Sequence, residues 1–453
     1  MVERNEMEDL HAQGGTEQKT VAILGLGYVG LPLALLFVDR GFRVLGIDPD
    51  ADKVEKLHKG ISYIHEISNR QIQEAMMTDR FLPTNRHSAI QAAEAIIICV
   101  PTPLTAYGTP DLSFLTIAAS QVGHRLKKGQ LVVLESSTYP GTTREVLLPL
   151  LEKTGLKAGE HFHLAYSPER VDPGNERFPL ERIPKIVSGI TEGCLDRILQ
   201  LYGQVFPSLH PVSSTDAAEM AKILENSYRL INISFINEMA MLSDQLNLDV
   251  WEVIDAAGTK PFGFMPFYPG PGIGGHCIPV DPSYLLWKAK QHGMTSEFIS
   301  MSNAVNHKMP LYIVQQLRKA MAPKPLSGSN ILIYGAAYKP NIADARESAS
   351  IDLMKLMQLE GANVFYHDPY IPQVKLGDGP LTSVELTPKL VESMDAVIIA
   401  TPHKGMPLTM LAEHAAFIYD TRNVTRHIEG RGRIMRLGTG TRSNSSQESG
   451  GRT

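Results

Sequence analysis

The chain has 453 residues, of which 43% are hydrophobic and 20% charged, and its formal net charge is −5. This length is too great for one ordinary core, so we expect two or three domains. The slightly negative net charge gives no general basic field for binding nucleic acid. The sequence contains no uninterrupted run of about 18 apolar residues, so no membrane-spanning segment is predicted. Three scattered cysteines, Cys99, Cys194 and Cys277, exclude a disulfide framework or zinc cluster and favour a reducing, cytoplasmic compartment.

Residues 1–19 are polar and acidic, without the apolar segment of a signal peptide, and predict a flexible tail. At Thr20 the pattern changes to a short apolar strand, a glycine turn and an amphipathic helix. Helical stretches lie between most of the further predicted strands, which are 43–48, 95–100, 131–136, 163–167 and 185–189. This alternation predicts a doubly wound parallel sheet over residues 20–214.

Residues 215–247 contain neither Gly nor Pro and have helical periodicity. A helix of this length either connects domains or is buried by a partner subunit. A shorter helix follows at 251–258, then a glycine-rich stretch, then another helical block that ends near Met321. We therefore predict a central helical domain over residues 215–321.

The segment APKPLSGSN at 322–330 predicts a linker to a C-terminal domain of residues 322–436. In that domain a helix is predicted at 347–361, and strands at 331–338, 363–368, 395–401 and 417–422. The Gly/Ser-rich residues 437–453 predict a disordered tail. The predicted fold class is α/β, with two Rossmann-like doubly wound parallel-sheet domains joined by a long central helix.

The hexapeptide GLGYVG places Gly25, Gly27 and Gly30 in G-x-G-x-x-G spacing, after a predicted strand and at the start of a helix. The three glycines would permit a tight turn, the approach of a pyrophosphate and close helix–strand packing, respectively. Asp48 ends the second strand, where a carboxylate accepts hydrogen bonds from ribose hydroxyls and repels a 2′-phosphate. These residues predict an NAD site; the alternative is a structural glycine turn with a surface aspartate.

Cys277 lies in PGIGGHCIPVDPSYL, a stretch poor in regular-structure formers. The preceding glycines let the backbone approach a ligand, and Asp281 follows four residues later, where it can steer a water or a proton. A thiolate needs a nearby cation or helix N-terminus, and the long helix offers Lys222 with Asn226 on the same face. The alternatives are a small apolar filler for Cys277 and a solvated lysine beside a helix asparagine.

A cysteine nucleophile suits an NAD enzyme that oxidises an aldehyde. Thiolate attack gives a thiohemiacetal, its oxidation gives a thioester, and hydrolysis releases an acid. His276 has no metal partners in the sequence, so we interpret it as structural, and no metal site is predicted.

Five motifs occur in one order: VAILGLGYVGLPLALLF, YSPERVDPGN, KILENSYRLINISFINEMA, FMPFYPGPGIGGHCIPVDPSYL and GAAYKPNIADARES. Together they resemble the UDP-glucose/GDP-mannose dehydrogenase family over residues 20 to about 425. The resemblance implies an NAD domain, a central helix used in dimerisation, a C-terminal UDP-binding domain and a homodimer or higher homo-oligomer. The implied activity oxidises the C6 hydroxymethyl of a nucleotide sugar to a carboxylate, with two hydrides passed to two NAD⁺.

The resemblance also implies roles for individual residues. Cys277 would be the nucleophile, Lys222 would stabilise the oxyanion at C6, and Asn226 would be a second polar contact to that oxygen. Asp281 resembles the acid/base aspartate, and an Asp281–water–Lys222 arrangement is one way to supply the base of the first oxidation. Glu169 resembles the glutamate that handles the hydrolytic water.

Further positions resemble ligand contacts of the family. Besides the glycine turn and Asp48, contacts to NAD are expected from Tyr28, Val29, Thr102, Thr138 and Arg346; Thr138 would also help to hold a water. Contacts to the UDP-sugar are expected from Glu169, Arg170, Lys222, Asn226, Tyr268, Gly272, Gly274 and Lys339, and from Lys260 of a neighbouring subunit. For Lys339 and Arg346 the alternative is a pair of charged residues on a surface loop.

Two motifs bear on the identity of the sugar. GGHCIPVDP and YSPERVDPGN resemble the branch that acts on UDP-N-acetylhexosamines, whereas UDP-glucose members usually have GGSCFPKD and NPEFL. We therefore expect UDP-N-acetylglucosamine as substrate, for surface polysaccharide biosynthesis, with UDP-N-acetylmannosamine or UDP-glucose as alternatives. One departure is Asn341–Ile342–Ala343, where an acidic residue commonly follows the KP pair. An inactive nucleotide-sugar-binding regulator is the non-enzymatic alternative.

Overall fold

The computed structural model describes residues 19–171, 178–377 and 379–440. The two predicted tails therefore lie outside the described residues, apart from Lys19 and residues 437–440, as does the end of the YSPERVDPGN motif. The chain divides into two compact units, one of residues up to 105 and 110–222, the other of residues 106–109 and 223 onwards. Among the described residues, no helix is both long and apolar enough to cross a membrane.

The first unit is an α/β layer structure. Its strands are β1 (Thr20–Leu24), β2 (Arg43–Ile47), β3 (Phe81–Thr84), β4 (Ala95–Ile98), β5 (Leu131–Leu134), β6 (His163–Tyr166), β7 (Lys185–Gly189) and β8 (Leu209–Pro211). Its helices are α1 (Gly30–Asp39), α2 (Ala51–His58), α3 (Asn69–Met77), α4 (Ser113–Gly123), α5 (Leu148–Leu151), α6 (Glu192–Tyr202) and the beginning of α7 (Thr215–Leu246).

The eight strands form one sheet in the order β3-β2-β1-β4-β5-β6-β7-β8. The predicted parallel sheet is confirmed from β3 to β6, but β7 runs antiparallel to β6. The described part of the connection between these two strands contains a 3-10 turn and no crossover helix of the kind that a parallel pair needs. The edge strands β3 and β8 were not predicted, because both are short and contain a proline.

Both faces of the central strands are buried, as expected for a parallel sheet covered by helices. Ile23 of β1 packs in a cluster with Phe37 of α1, and the next residue, Leu24, packs on the other face with Leu115 of α4. Alternate residues of one apolar strand therefore serve two separate cores. The loops at the carboxyl ends of these strands are thereby held in place on a rigid sheet.

The second unit contains the remainder of α7 and a smaller sheet. Its helices are α8 (Val250–Gly258), α9 (Asp281–Gln291), α10 (Glu297–Met321), α11 (Ala349–Leu359), α12 (Pro388–Glu392) and α13 (Leu408–His414). Its strands are β9 (Asn330–Tyr334), β10 (Asn363–His367), β11 (Gln373–Leu376), β12 (Gly379–Thr382), β13 (Ala396–Ile399), β14 (Phe417–Asp420) and β15 (Arg433–Arg436). Five of them form a parallel sheet, β10-β9-β13-β14-β15, and β11 pairs antiparallel with β12.

Helix α7 matches the helix predicted over 215–247 and is 32 residues long. In the second unit it leaves large apolar side chains exposed, namely Leu224, Tyr228, Phe235, Leu242 and Leu246. Phe235, Leu242 and Leu246 also line an apolar groove between α7 and α8, to which α8 contributes Val253 and Ala257. We call these exposed residues and the groove the apolar face of α7.

Candidate functional site

The GLGYVG motif forms the turn between β1 and α1. Gly25 has a φ of +88°, and a Cβ at that position would lie 2.7 Å from the carbonyl oxygen of Cys99. A Cβ on Gly30 would lie 1.8 Å from the carbonyl oxygen of Gly25, whereas a Cβ on Gly27 would meet nothing within 4 Å. Two of the glycines are therefore required by backbone packing, and the third leaves the open surface that a pyrophosphate needs. Tyr28 and Val29 complete the turn.

Asp48 follows β2 directly and is buried beside this turn. Its carboxylate accepts hydrogen bonds from the Leu26 N–H at 2.9 Å, the Asp50 N–H at 3.0 Å and Lys53 Nζ at 3.3 Å. The acid is thus fixed at the end of the second strand, as in dinucleotide-binding sheets. The open backbone at Gly27 and this carboxylate together fit an NAD molecule.

Two threonines lie on loops that follow neighbouring strands. The Thr102 hydroxyl, after β4, donates to the Ser137 carbonyl at 2.7 Å and ties its loop to the one after β5. Thr138 on that second loop is fully buried, yet its hydroxyl has no hydrogen-bond partner among the described residues. A buried hydroxyl normally has a partner, so Thr138 is suited to hold a water or a ligand group.

Glu169 lies after β6 and is buried in a polar network of the first unit. Its Oε1 accepts the backbone N–H groups of Arg170 at 2.6 Å and Val171 at 2.7 Å, and its Oε2 accepts Lys185 Nζ at 3.1 Å. Burial acts to raise the pKa of Glu169, but Lys185 and the other donors outweigh it, so the pKa lies below its ordinary value. Glu169 is therefore held ionised. The Arg170 guanidinium turns to the Pro184 carbonyl at 2.8 Å.

Lys222 lies near the start of α7 and is buried. One turn before it, Glu219 is fully buried and accepts the N–H groups of Gly141 at 2.6 Å and Thr143 at 2.8 Å, and the Thr143 hydroxyl at 2.6 Å. Burial raises the pKa of Glu219 to about 7. Glu219 therefore fastens the beginning of α7 to the loop after Thr138, a link that the sequence analysis missed.

In the second unit, Cys277 lies one turn before α9. Its carbonyl accepts the Asp281 N–H at 2.8 Å, so the loop runs directly into the first turn of the helix. The Cys277 side chain is half-buried, whereas Cys99 and Cys194 are buried, and none of the three forms a disulfide. A position next to a helix N-terminus favours a thiolate.

Asn226 of α7 and Asp281 of α9 form a buried pair. Asn226 Nδ2 donates to Asp281 Oδ2 at 2.5 Å, and the Asn226 carbonyl oxygen accepts a hydrogen bond from Arg229. One N–H of the Asn226 amide remains for a ligand, because an amide nitrogen carries two hydrogens. The structure thus joins two of the residues that the sequence predicted as catalytic.

The glycines before Cys277 pack tightly against the loop at 338–348. A Cβ on Gly272 would lie 2.9 Å from the Ala349 Cβ, and a Cβ on Gly274 would lie 2.6 Å from the Glu347 carbonyl oxygen. The side chain of Asn306 in α10 accepts the Ile273 N–H at 2.6 Å and fixes the same stretch. The glycines are therefore explained in part by packing between two loops of this unit.

Arg346 joins these two loops. Its carbonyl accepts the Gly275 N–H at 3.1 Å, and its guanidinium donates to Asp344 at 2.6 Å and contacts His276 Nδ1 at 3.1 Å. Burial acts to raise the pKa of Asp344, but Arg346 outweighs it and the net shift is downward. The contact links His276 to the loop that carries Arg346, and the structural role of His276 stays a prediction.

Lys339 and Asn341 lie on the loop after β9. Asn341 has a φ of +64°, its N–H donates to His403 Nδ1 at 3.0 Å, and its side-chain oxygen accepts the Lys404 N–H at 2.6 Å. His403 Nε2 in turn lies 3.0 Å from Asp368 Oδ2. The asparagine that departs from the family pattern is therefore well accommodated, since its amide oxygen accepts a hydrogen bond as a carboxylate would.

The remaining predicted residues lie nearer the surface. Tyr268 is half exposed and stacks on Trp251 with a ring separation of 5.8 Å. Lys260 is exposed, with its ammonium group 4.8 Å from the ring centre of Phe262. The sequence analysis did not single out Arg422, which donates to the Ala400 carbonyl at 2.8 Å and packs against Gly270.

Each unit thus carries its own group of predicted residues. The first holds the glycine turn, Asp48, Thr102, Thr138, Glu169 and Lys222, and the second holds Asn226, Cys277, Asp281, Lys339 and Arg346. Several polar residues that support them were missed. Asp344 lies within the GAAYKPNIADARES motif but was not singled out, and the quoted motifs do not contain the others, which are Glu135, Lys185, Glu219, Asn306, Asp368 and His403. A fingerprint turn on a mostly parallel sheet, followed by a second parallel sheet, defines a dinucleotide-binding α/β enzyme.

Comparison with known proteins gives the family. Residues 19–206, 216–308 and 332–427 match, respectively, the NAD binding domain, the central domain and the UDP binding domain of the UDP-glucose/GDP-mannose dehydrogenase family. A UDP-N-acetyl-D-glucosamine 6-dehydrogenase of Salmonella typhi is 36% identical over 399 residues, which cover 86% of this chain and 91% of that protein. A UDP-N-acetyl-D-mannosamine dehydrogenase of Pyrococcus horikoshii is 34% identical, with coverages of 84% and 89%.

A solved structure of the UDP-D-ManNAc dehydrogenase from Pyrococcus horikoshii is similar to this chain with a TM-score of 0.85. The two are 32% identical, and the match covers 93% of this chain and 99% of that one. The chain belongs to the UDP-glucose/GDP-mannose dehydrogenase family. It is an NAD-dependent nucleotide-sugar dehydrogenase.

Proposed function

We propose that the enzyme oxidises the C6 hydroxymethyl of UDP-N-acetylglucosamine to a carboxylate through thiohemiacetal and thioester intermediates on Cys277. The observation that carries this proposal is the placement of Cys277 one turn before α9, followed by the buried Asp281–Asn226 pair. A half-buried thiol beside a helix N-terminus has the setting of a nucleophile, whereas the other two cysteines are enclosed.

NAD, when bound, accepts the hydride that the sugar carbon loses in each oxidation. The chain's part is to hold the cofactor and keep it in place. Gly25, Gly27 and Gly30 admit its pyrophosphate, Tyr28 and Val29 complete that turn, and Asp48 accepts the ribose hydroxyls. Thr102, Thr138 and Arg346 are proposed as further contacts.

In the proposed first stage, Lys222 stabilises negative charge on the C6 oxygen, and Asn226 donates its remaining N–H to the same oxygen. Asp281, held by Asn226, orients a water or takes up a proton. Loss of the hydroxyl proton and of one hydride to NAD would leave an aldehyde at C6, to whose carbon the Cys277 thiolate adds to form a thiohemiacetal. Loss of a second proton and hydride from this adduct would give the thioester. Each group is buried or half-buried, so its charge or dipole acts with little competition from bulk water.

In the second stage a water hydrolyses the thioester. Glu169, held ionised by Lys185, is proposed to accept a proton from this water. The Thr138 hydroxyl, which has no hydrogen-bond partner in the described part of the chain, is proposed to help hold the water. The carbon–sulfur bond breaks, so that the Cys277 thiolate is restored and the uronic acid is released.

Recognition of the UDP-sugar is proposed to use cations and backbone groups. Lys339 would contact the diphosphate side, and its loop is fixed by the Asn341–His403–Asp368 chain of hydrogen bonds. Tyr268, Gly272 and Gly274 are proposed to line the sugar pocket. The other proposed contacts to the substrate are Glu169, Arg170, Lys222 and Asn226.

We further propose that two copies of the chain associate through the apolar face of α7. Five large apolar side chains are exposed along this helix, and the groove beside α8 is lined almost entirely by apolar residues. Monomeric proteins rarely leave such a patch exposed. Lys260 would reach the substrate of the neighbouring subunit in this arrangement. The three thiols and the use of NAD favour a cytoplasmic location, in which the product supplies surface polysaccharide synthesis.

A second candidate substrate is UDP-N-acetylmannosamine. It is favoured by the relative and the solved structure from Pyrococcus horikoshii, which are named for that sugar. His276, which contacts Arg346, marks the N-acetylhexosamine branch but does not separate the two epimers.

The test is a comparison of kcat/KM on UDP-N-acetylglucosamine, UDP-N-acetylmannosamine and UDP-glucose. We expect UDP-N-acetylglucosamine to lead by about tenfold or more, which corresponds to about 1.4 kcal/mol of transition-state discrimination. A higher kcat/KM on either of the other sugars would overturn the assignment of the sugar. Absence of NADH formation with all three would favour a nucleotide-sugar-binding regulator.

A further inference from the structure

Buried side chains with no assigned role lie against Glu169 inside the first unit. Lys185, the first residue of β7, donates to Glu169 Oε2 at 3.1 Å and to Glu135 Oε2 at 2.6 Å. Tyr202, the last residue of α6, donates its hydroxyl to Glu135 Oε1 at 2.5 Å. The side chains of Lys185 and Glu135 are 3% and 0% exposed, so this network is interior and differs from a surface ion pair.

The network contains two carboxylates and one ammonium group. Burial alone would lower the pKa of Lys185, but Glu135 and Glu169 raise it well above its ordinary value, so Lys185 stays charged. Burial raises the pKa of Glu135 to about 7 despite the same ammonium. The pKa of Glu169 lies below its ordinary value only because Lys185 and the other donors outweigh burial. Without Lys185, burial would favour the protonated form of Glu169.

The hydrogen bonds also determine which oxygen of Glu169 is available to accept a proton from a water. A carboxylate has about four acceptor positions. Oε1 uses two of them for the N–H groups of Arg170 and Val171, and Oε2 uses one for Lys185. Among the described residues, the acceptor position that has no partner is on Oε2, the oxygen that Lys185 holds.

We propose that Lys185 is a positioning residue for thioester hydrolysis, which orients Oε2 of Glu169 and keeps it ionised to accept the proton of the attacking water. This inference rests on the hydrolytic role proposed above for Glu169. The water oxygen bonds to the thioester carbon, the carbon–sulfur bond breaks to release the thiolate, and one proton passes to Glu169. No oxidation state changes. Lys185 is itself held by Glu135, which in turn accepts the Tyr202 hydroxyl.

Other titratable groups of this unit also interact with Glu169. They are Lys222 of α7, Glu135 after β5, Cys99 after β4 and Tyr202 of α6. Burial raises the pKa values of Cys99 and Tyr202 well above their ordinary values, so neither ionises near neutral pH. Lys222 lowers the pKa of Glu169 in the same sense as Lys185. Glu135, whose pKa burial raises to about 7, is the group of this network that titrates near neutral pH, and the experiment therefore includes its removal.

The experiment compares the wild-type enzyme with Lys185→Met, Lys185→Arg and Glu169→Gln, using NAD and the UDP-sugar that the wild type oxidises. For Lys185→Met we expect kcat to fall about tenfold or more with KM values changed less than about threefold, as for a group that acts in a chemical step. The acid limb of the kcat–pH profile should move up by about one unit or more. Rapid quenching and mass spectrometry should show acylated Cys277 accumulating, and Lys185→Arg should recover part of kcat.

A double variant, Lys185→Met/Glu135→Leu, guards against simple misfolding because it also removes the Glu135 carboxylate, which the single variant leaves buried without an ammonium partner. We expect its melting temperature to stay near that of the wild type, while the slow hydrolysis and shifted acid limb persist. The inference is wrong if the folded Lys185→Met variants have the same acid limb of the kcat–pH profile as the wild type and accumulate no more acylated Cys277. If Glu169→Gln hydrolyses its thioester at the wild-type rate, the role proposed for Glu169 itself fails, and the inference fails with it.

Discussion

At the scale of single residues, the three cysteines differ in what surrounds them. Cys194 is fully buried at the start of α6, and Cys99 is enclosed against the glycine turn, where burial raises the pKa of its thiol. Cys277 is half-buried on a loop that enters α9. A reactive cysteine needs both access and a setting that stabilises the thiolate, and Cys277 meets these two conditions.

We expect Cys277→Ser to lower kcat by about a thousandfold or more, because a serine hydroxyl is a far weaker nucleophile than a thiolate. The enzyme should be trapped before release of the acid, and mass spectrometry of the quenched reaction should detect any sugar adduct at position 277. Cys194→Ala is the matched control and should retain wild-type turnover. Wild-type turnover by Cys277→Ser would contradict the nucleophile assignment.

The residue-scale roles divide into those that a motif marks and those that only the fold reveals. Gly25, Gly30 and Asp48 lie at one turn because a strand, a turn and a helix in sequence determine their relative positions, and their contacts to NAD stay predictions. Lys185 lies 16 residues from Glu169 and 50 from Glu135, with no pattern that links them. Such a network depends on which strands become neighbours and in which direction they run, and the antiparallel direction of β7, a strand predicted at 185–189, was not predicted.

At the scale of elements, α7 is fastened at its beginning by Glu219. The folded chain raises the pKa of this carboxyl from 4.5 to about 7 through burial. Between these values the folded state binds more protons than the unfolded state, so this group makes stability fall as pH rises through that window. The loss of stability due to Glu219 is complete above about pH 7 and absent below about pH 4.5.

In the wild type, titration of Glu219 contributes to a fall in the free energy of unfolding between about pH 5 and pH 8. In Glu219→Gln we expect this fall to be smaller, because the titrating group is removed. At about pH 5 the variant should be less stable by about 1–3 kcal/mol, since an amide nitrogen cannot accept a backbone N–H such as that of Gly141. Denaturant unfolding at several pH values measures both effects. Glu238→Gln, an exposed change on the same helix, is the control. An unchanged pH slope in Glu219→Gln would contradict the titration of this group.

The apolar face of α7 carries a second prediction at this scale. If two copies associate through this face as proposed, we expect Leu242→Asp to convert the proposed dimer into a monomer, because a charge in an apolar interface loses its hydration without gaining a partner. Analytical ultracentrifugation measures the change in mass. Leu359→Asp places the same substitution on an 83% exposed leucine of α11 and should leave the dimer intact. A Leu242→Asp variant with the mass of the wild-type dimer would contradict an interface on this face.

Elements differ in how well the sequence predicts them. The strands β1, β4, β5 and β9 are continuous apolar runs, and α7 is long and free of Gly and Pro, so both periodicity and composition indicate them. β15 has the sequence RIMR, and β11 has QVKL, which contain no such run. These strands form because a neighbouring strand supplies hydrogen bonds, and that information is not local.

At the scale of the whole molecule, the order of the five motifs along the chain corresponds to two sheet-containing units and the long helix. The fold class is confirmed by the two sheets and by similarity to a solved dehydrogenase along 93% of this chain. The domain boundaries and the individual site roles stay predictions. The choice between sugar epimers has no simple local signal, since it concerns the orientation of one substituent that several side chains recognise together.

The central claim is a four-electron oxidation that passes through a covalent thioester. It is tested most directly by counting the NADH formed for each molecule of UDP-N-acetylglucosamine consumed, with mass spectrometry of the product. The account predicts about two NADH for each UDP-N-acetylglucosaminuronate released, since each oxidation transfers one hydride. One NADH for each free aldehyde released would contradict it.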